Sequence, residues 1–279
     1  MAEIKFTDDG FSITAAEPWI KEKVAIVRQY LSSFVLNLHG RIDELVFVDL
    51  SAGNGLYSLG AKKEIFAASS LMALSLDLPI NRYIFCEADN EQSGVLKIRT
   101  NKYFRGKNVI HLEGKPEELI DKLQLYVPQS KGNYKVAVFC LCDPFSLDIP
   151  FNTISKLNDL GFSFLIPFTF VLNDHLNYKF YTQEQREKVS RFLGGFKDIE
   201  RLEKDLTSNT VFYKRLIHIF ENNMLALGLN AATSVHKIDS GLMEVPMYYT
   251  GLFSKQFATK AILQDVEAAR NVQFDLFKI

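Results

Sequence analysis

The sequence predicts an α/β fold in which a parallel β-sheet is covered by helices on both faces. Short apolar segments alternate with longer segments whose apolar residues recur every three or four positions. The short segments are apolar throughout, which is typical of strands buried on both faces. The first four of them end at or beside an acid, namely Asp49, Glu87, Glu113 and Asp143. Alternation of this kind favours a single parallel sheet wrapped by helices.

The predicted elements follow one another in a regular order. A first helix begins near Pro18, carries one apolar stripe and ends at Gly40, a natural helix C-cap. The predicted strands one to five lie at 45–49, 82–86, 109–112, 135–141 and 162–172. The helices between them are predicted at 65–76, 90–103, from 115 onward, and at 151–160. Residues 1–16 are expected to be a loose arm and residues 56–64 a loop.

The regular alternation stops after strand five. Helical stretches at 182–193 and 211–227 are joined by a charged segment, 197–205, and predict a helical insertion over 174–228 before strand six. Two β-rich segments, 231–238 and 245–254, are joined by the turn signal Asp239-Ser240-Gly241, and a closing helix follows over 256–269. We expect residues 1–279 to form one domain, with the insertion acting as a lid or substrate platform. Its aromatic residues equally suit packing against the sheet.

Composition excludes several classes of protein. The 279 residues are 47% hydrophobic and 23% charged, which is typical of a globular chain. The net charge of −1 shows no global basic bias of the kind that nucleic-acid-binding proteins carry, although a local patch stays open. No apolar run reaches membrane-spanning length. The three cysteines, Cys86, Cys140 and Cys142, lie in apolar strands, so we expect buried free thiols, no zinc site and a cytoplasmic location.

The segment 46–57, VFVDLSAGNGLY, is the centre of the prediction. A buried strand ends at Asp49 and runs into Gly53 and Gly55, giving the spacing D-x-x-x-G-x-G. Glycines at such a turn adopt positive φ and leave room for a ligand. The spacing differs from the dinucleotide pattern G-x-G-x-x-G, and no Walker lysine follows. A plain glycine-rich β-to-α turn is the alternative.

The acids at the strand ends predict a ligand site. Ligands of open parallel sheets lie beyond the carboxyl ends of the strands, near the point where the strand order reverses. Each acid alone is equally explained as a solvated loop residue. Four acids at the same edge favour a binding site.

The chain resembles the class I S-adenosylmethionine (SAM)-dependent methyltransferases and, more narrowly, the three-Cys-motif partner (TcmP) family of bacterial proteins. The residues that carry the resemblance are Trp19, Lys23 and Tyr30 in the first helix, D-L-S-A-G-N-G at 49–55, Glu87, and D-P-F at 143–145. It implies a Rossmann-like seven-stranded methyltransferase sheet with helices on both faces and a helical insertion before strand six. It also implies SAM as cofactor and a three-Cys-motif radical-SAM-like protein as partner.

The resemblance further implies which residues form the site. The cofactor-binding residues would be Asp49, Ala52, Gly53, Gly55, Glu87, Ala88, Glu113 and Gly114. Glu87 would accept both ribose hydroxyls, with a helix-capping role as the alternative. The methyl acceptor would lie at Asp143, Pro144 and Phe145, which resemble the D-P-P-Y/F motif of amino methyltransferases but have one proline. Asp143 is the candidate general base, and a strand-terminating turn is the alternative.

Two further functions stay open at this point. One is a non-catalytic SAM-fold protein whose insertion binds another protein. The other is a nucleic-acid base or ribose methyltransferase, with basic residues of the insertion as a binding strip. These basic residues alternate with acids, which favours a solvated face of mixed charge. The sequence names no methyl acceptor.

Overall fold

A computed structural model describes residues 4–60, 64–143, 147–170, 178–238 and 247–275. At Phe196 and 270–275 the description covers the backbone alone. The chain divides into two compact units, Met1–Leu141 with Lys260–Ile279, and Cys142–Thr259. Among the described residues, no helix is long and apolar enough to cross a membrane.

Ten strands and ten α-helices make up the described chain. The strands are β1 (Thr14–Ala16), β2 (Glu44–Asp49), β3 (Leu56–Leu59), β4 (Glu64–Ala67), β5 (Arg82–Glu87), β6 (Val109–Glu113), β7 (Val136–Leu141), β8 (Phe162–Phe168), β9 (Asn230–Lys237) and β10 (Met247–Ser254). The helices are α1 (Pro18–Leu38), α2 (Ser69–Ser75), α3 (Asn90–Tyr103), α4 (Ile120–Tyr126), α5 (Phe151–Asp159), α6 (Tyr178–Gln183), α7 (Arg186–Leu193), α8 (Phe196–Glu203), α9 (Asn209–Ala226) and α10 (Thr259–Asp275). A single 3₁₀ turn, Pro116–Glu118, precedes α4.

The main sheet has seven strands in the order β6-β5-β2-β7-β8-β10-β9. In the first unit, β2 pairs in parallel with β5 and β7, and β5 pairs in parallel with β6. In the second unit, β10 runs antiparallel to both β8 and β9. All six residues of β7 and five of the six in β2 are buried, as strands covered on both faces require. This is the seven-stranded Rossmann-like sheet that the sequence predicts.

The predicted elements of the main sheet are confirmed, with small shifts at their ends. Helix α1 has proline in its first turn and buries one stripe of apolar side chains, including Val27, Leu31 and Phe34. Strand β8 ends at Phe168, earlier than the prediction of 162–172, whose last two residues lie outside the described chain. The predicted turn 239–241 also lies outside it.

The prediction was wrong at the N-terminus and after the glycine loop. Residues 14–16 form β1, which pairs in parallel with β3, and β3 pairs with β4 in a second, three-stranded sheet. The expected loose arm is therefore partly a strand, and the expected loop at 56–64 contains β3. The helix expected from Ile65 begins at Ser69, because 64–67 belongs to β4.

The insertion of the second unit is helical, as predicted, but is divided differently. The stretch expected as one helix at 182–193 forms α6 and α7, and the charged segment at 197–205 forms most of α8. Aromatic side chains of these helices are buried and contact one another. Tyr181 and Phe212 stack with centroids 5.5 Å apart, and Phe192 and Phe220 stack at 4.8 Å. This packing fits the alternative that the aromatics hold the helices in place, and the lid or platform stays a prediction.

Candidate functional site

The glycine loop begins where β2 ends at Asp49. This carboxylate is fully buried, and it accepts hydrogen bonds from residues on both sides of the loop. Its Oδ1 accepts a hydrogen bond from Ser51 N at 3.1 Å, and its Oδ2 accepts one from Ser69 Oγ at 2.6 Å. Ser69 is the first residue of α2. Asp49 therefore fixes the distance between the strand end and the helix that follows the loop.

Gly53 and Gly55 differ in what surrounds them. Gly53 has φ of +59°, and a Cβ added there would lie 3.7 Å from Gln92 Oε1, an ordinary contact. Gly55 has φ of +90°, and a Cβ there would lie 2.8 Å from side-chain atoms of both Leu71 and Leu96. Gly55 thus allows α2 and α3 to pack closely on the loop, whereas the backbone at Gly53 can be approached by a ligand.

Glu87 joins the loops that follow β2 and β5. Its Oε2 accepts a hydrogen bond from Gly53 N at 2.8 Å, and its Oε1 accepts one from Asp89 N at 2.9 Å. The N-cap of α3 is Asp89, whose side chain accepts from Gln92 N. Glu87 is thus not the N-cap residue of α3, although its carboxylate holds the backbone amide of that residue.

The remaining predicted residues of this edge lie beside these two loops. Ala52 is buried and its N donates to Cys86 O at 3.0 Å, while Ala88 is exposed. Glu113 is exposed and is the register partner of Glu87 across β5 and β6. Gly114 N donates to Glu87 O at 3.0 Å. The strand-end loops of β2, β5 and β6 are thus linked by hydrogen bonds.

The predicted acceptor residues are described in part. Asp143 lies two residues after the end of β7, in the second unit, and is half-buried. Pro144 and Phe145 lie outside the described residues. In the first unit, Lys23 and Tyr30 of α1 are buried, with Lys23 Nζ 5.8 Å from the centroid of the Trp19 ring.

Sequence reasoning missed a buried polar network behind the glycine loop. Arg99 of α3 is fully buried and forms an ion pair with Asp9 at 2.8 Å. Its Nη1 also donates to Asn54 O at 2.7 Å and to Asn54 Oδ1 at 3.0 Å. The amide of Asn54 donates in turn to Thr14 Oγ1 at 2.9 Å. An arginine on a mostly polar helix gives no sequence signal of burial, so its partners could not be identified from spacing.

Within the described chain, no cluster of three or more His, Cys, Asp or Glu side chains is arranged to hold a metal ion. Cys86, Cys140 and Cys142 are buried, as the sequence predicts. His111 of β6 contacts Thr100 Oγ1 through its Nε2 at 3.0 Å. Burial, followed by the nearby charge of Lys97, lowers the pKa of His111 to about 4. Its imidazole is therefore neutral at neutral pH.

Comparison with known proteins supports the fold. No family model matches the sequence, and no curated protein matches it either. The solved structure of protein LPL1258 from Legionella pneumophila has a TM-score of 0.52 at 10% identity, covering 88% of this chain and 91% of that protein. A likeness at this identity concerns the fold alone.

Two further solved structures are named as methyltransferases. A putative caffeoyl-CoA O-methyltransferase from Staphylococcus aureus has a TM-score of 0.44 at 12% identity, covering 83% of this chain and 82% of its own. An O-methyltransferase from Bacillus cereus, solved in complex with SAH, has a TM-score of 0.43 at 10% identity, covering 85% of this chain and 91% of its own. The seven-stranded sheet, with its antiparallel final pair, is the Rossmann-like arrangement that the sequence predicts.

Proposed function

We propose that this protein is a SAM-dependent methyltransferase that binds SAM beyond the ends of β2 and β5. The observation that carries the proposal is the hydrogen bond from Gly53 N to Glu87 Oε2 at 2.8 Å. It joins an open glycine turn to an acid at the end of the neighbouring strand. Ligands of open α/β sheets bind at this edge.

Glu87 keeps the acceptor capacity that a ribose requires. An ionised carboxylate has about four lone-pair sites on its two oxygens. Gly53 N occupies a site on one oxygen and Asp89 N a site on the other. Each oxygen therefore retains a site for one hydroxyl, while the two backbone donors hold the carboxylate in place.

The glycine loop supports the other half of the ligand. Gly53 lacks a Cβ and adopts positive φ, so the methionine part of SAM can pass close to the backbone there. Bound SAM supplies an electrophilic methyl group on a sulfonium. The role of the chain is then to hold the methyl donor in a fixed orientation and to orient the acceptor, since alignment supplies much of the rate.

The acceptor end is proposed from the sequence pattern at Asp143, Pro144 and Phe145. Asp143 would accept a hydrogen bond from the methyl acceptor and take up its proton. The narrower resemblance to the TcmP family supports a three-Cys-motif radical-SAM-like protein as a partner. Co-purification of the two proteins after joint expression tests that proposal, and separate elution at micromolar concentrations would contradict it.

Direct binding tests the cofactor proposal. Glu87→Ala should weaken binding of SAM and SAH through loss of the ribose acceptor, and Glu22→Ala, on the exposed side of α1, is its control. Gly53→Val should weaken binding by filling the space of the ligand. Gly60→Val is its control, because Gly60 has φ of +63° with nothing within 4 Å of an added Cβ. Wild-type affinity in both test variants, measured by calorimetry, would show that the ligand site is elsewhere.

Transfer is tested separately from binding. Asp143→Ala should leave the affinity for SAM nearly unchanged and abolish methyl transfer. The assay uses SAM labelled in its methyl group with a cell extract fractionated into RNA, DNA, protein and small molecules. Label in one fraction identifies the class of acceptor. Binding of SAM without label in any fraction would favour a non-catalytic protein of the same fold.

A further inference from the structure

A cleft in the first compact unit plays no part in the proposed methyl transfer. It lies between residues 4–6, helix α1, the segment from β4 to the end of α2, and the residues that end and follow α3. Its volume is ≈ 1230 Å³. Pockets for small ligands measure about 300–1,000 Å³. The cleft is therefore large enough for a segment of a polymer.

The lining of the cleft is strongly basic. Five cationic side chains line it, Lys5, Lys21, Arg28, Arg105 and Lys107, and Glu64 is the one carboxylate among the described lining residues. Glu64 forms an ion pair with Lys21 at 2.6 Å. Within the described chain, no ion pair neutralises Arg28, Arg105 or Lys107. Since the whole chain has a net charge of −1, this concentration of positive charge is local.

The interior of the cleft is apolar and partly aromatic. Phe66 and Tyr103 are half-buried lining residues, so part of each side chain is accessible. Their orientations are held by neighbouring rings: Phe66 lies 5.5 Å from Tyr57, and Tyr103 lies 5.3 Å from Phe6, between ring centroids. Two partly accessible rings and five cations in the lining of one cleft combine stacking surface with phosphate-binding charge.

We propose that this cleft binds single-stranded nucleic acid. Proteins that bind single strands combine a basic groove that follows the phosphates with aromatic side chains on which bases stack. An acidic peptide would satisfy the cations but offers no planar groups to Phe66 and Tyr103, and a single nucleotide would leave most of the volume empty. The proposal concerns binding alone and does not depend on the proposed methyl transfer.

Fluorescence anisotropy with labelled oligouridylate and oligothymidylate of about 12 nucleotides tests this site. We expect both oligonucleotides to bind, either equally or with a preference for one of them. Their affinity should fall as the salt concentration rises from about 50 to 200 mM, because binding releases counterions. Arg28→Glu with Arg105→Glu should lower the affinity by about tenfold or more at the lower salt concentration. Phe66→Leu, which keeps an apolar side chain but removes the ring, should lower it by about fivefold or more.

The control changes net charge equally outside the cleft. Arg41→Glu with Lys122→Glu alters two exposed cations of the same unit and should change affinity by less than about twofold. Absence of oligonucleotide binding, equal losses in the two charge-reversed proteins, or tighter binding of a polyglutamate peptide would each overturn the proposal. None of these substitutions alters Gly53 or Glu87, so SAM affinity is a separate measurement on the same proteins.

Discussion

At the scale of single residues, Arg99 connects three parts of the chain that sequence spacing leaves apart. It joins the N-terminal segment through Asp9, the glycine loop through Asn54, and α3, on which it lies. A fully buried guanidinium needs its hydrogen-bond partners, because an uncompensated buried charge is costly. The conformation of the glycine loop at Asn54 therefore depends on Arg99, which lies 45 positions away along the sequence.

Replacing Arg99 should strongly destabilise the protein. Arg99→Leu leaves Asp9 and Asn54 without their donor in a buried place, so we expect a loss of about 3–5 kcal/mol in the free energy of unfolding. Arg105→Leu, an exposed arginine just beyond the same helix, should cost less than about 0.5 kcal/mol. Urea unfolding measures both. Equal losses in the two variants would contradict the role assigned to the network.

The lowered pKa of His111 predicts a pH dependence of stability. The folded protein holds this imidazole neutral down to a pKa of about 4, whereas the unfolded chain takes up the proton near pH 6.5. The contribution of His111 to the free energy of unfolding is therefore fully present above pH 6.5. It is lost as the pH falls toward 4, with a slope of up to about 1.4 kcal/mol per pH unit.

His111→Asn should flatten this part of the stability curve. The measurement is the free energy of unfolding of both proteins between pH 4 and pH 7. Parallel stability curves for the wild-type protein and the variant between pH 4 and pH 7 would show that His111 does not cause the pH dependence.

At the scale of elements, the sequence predicts what short-range patterns determine. Continuous apolar runs identify β2, β5, β6, β7 and β8, and the apolar stripe of α1 identifies that helix. Strands β1, β3 and β4 have three or four residues each and were missed. Their pairing joins Thr14 to Tyr57, a long-range contact with no local signal. Such strands exist because tertiary partners are present, and propensity alone does not predict them.

The packing of α2 and α3 on the glycine loop predicts a difference between two glycines. Gly55→Ala places a methyl group 2.8 Å from Leu71 and Leu96, whereas Gly60→Ala meets open space at a similar positive φ. Both substitutions restrict the conformational freedom of the backbone, so the difference between their two losses of stability reports overpacking. We expect Gly55→Ala to cost about 1–3 kcal/mol more than Gly60→Ala in urea unfolding. Equal costs would show that the helices can move apart without loss.

The insertion helices offer a test between scaffold and platform. Tyr181 of α6 is buried, and its hydroxyl donates to Phe170 O at 3.1 Å. Tyr181→Ala should therefore cost about 3–5 kcal/mol of stability, whereas Tyr181→Phe should cost about 1 kcal/mol. Little destabilisation with a specific loss of transfer would instead support the platform.

At the scale of the whole molecule, the position of the candidate site is predicted by the fold more than by any single sequence motif. The acids Asp49, Glu87 and Glu113 end neighbouring parallel strands, so sequence order was enough to predict that they share an edge. The sequence did not show that two of them are already bonded to loop amides or hydroxyls, or that Gly55 serves packing. Those details depend on side-chain directions that only the folded structure fixes.

The central claim is that the intact chain binds SAM, and a thermal unfolding titration with SAM and SAH tests it most directly. Ligand that binds only the folded protein stabilises it by about 2.7 kcal/mol at 100 times its Kd. We predict a rise in melting temperature that grows with ligand concentration, is much reduced in Glu87→Ala and persists in Glu22→Ala. A melting temperature that stays constant at millimolar SAM and SAH, in protein that unfolds cooperatively, would contradict the account.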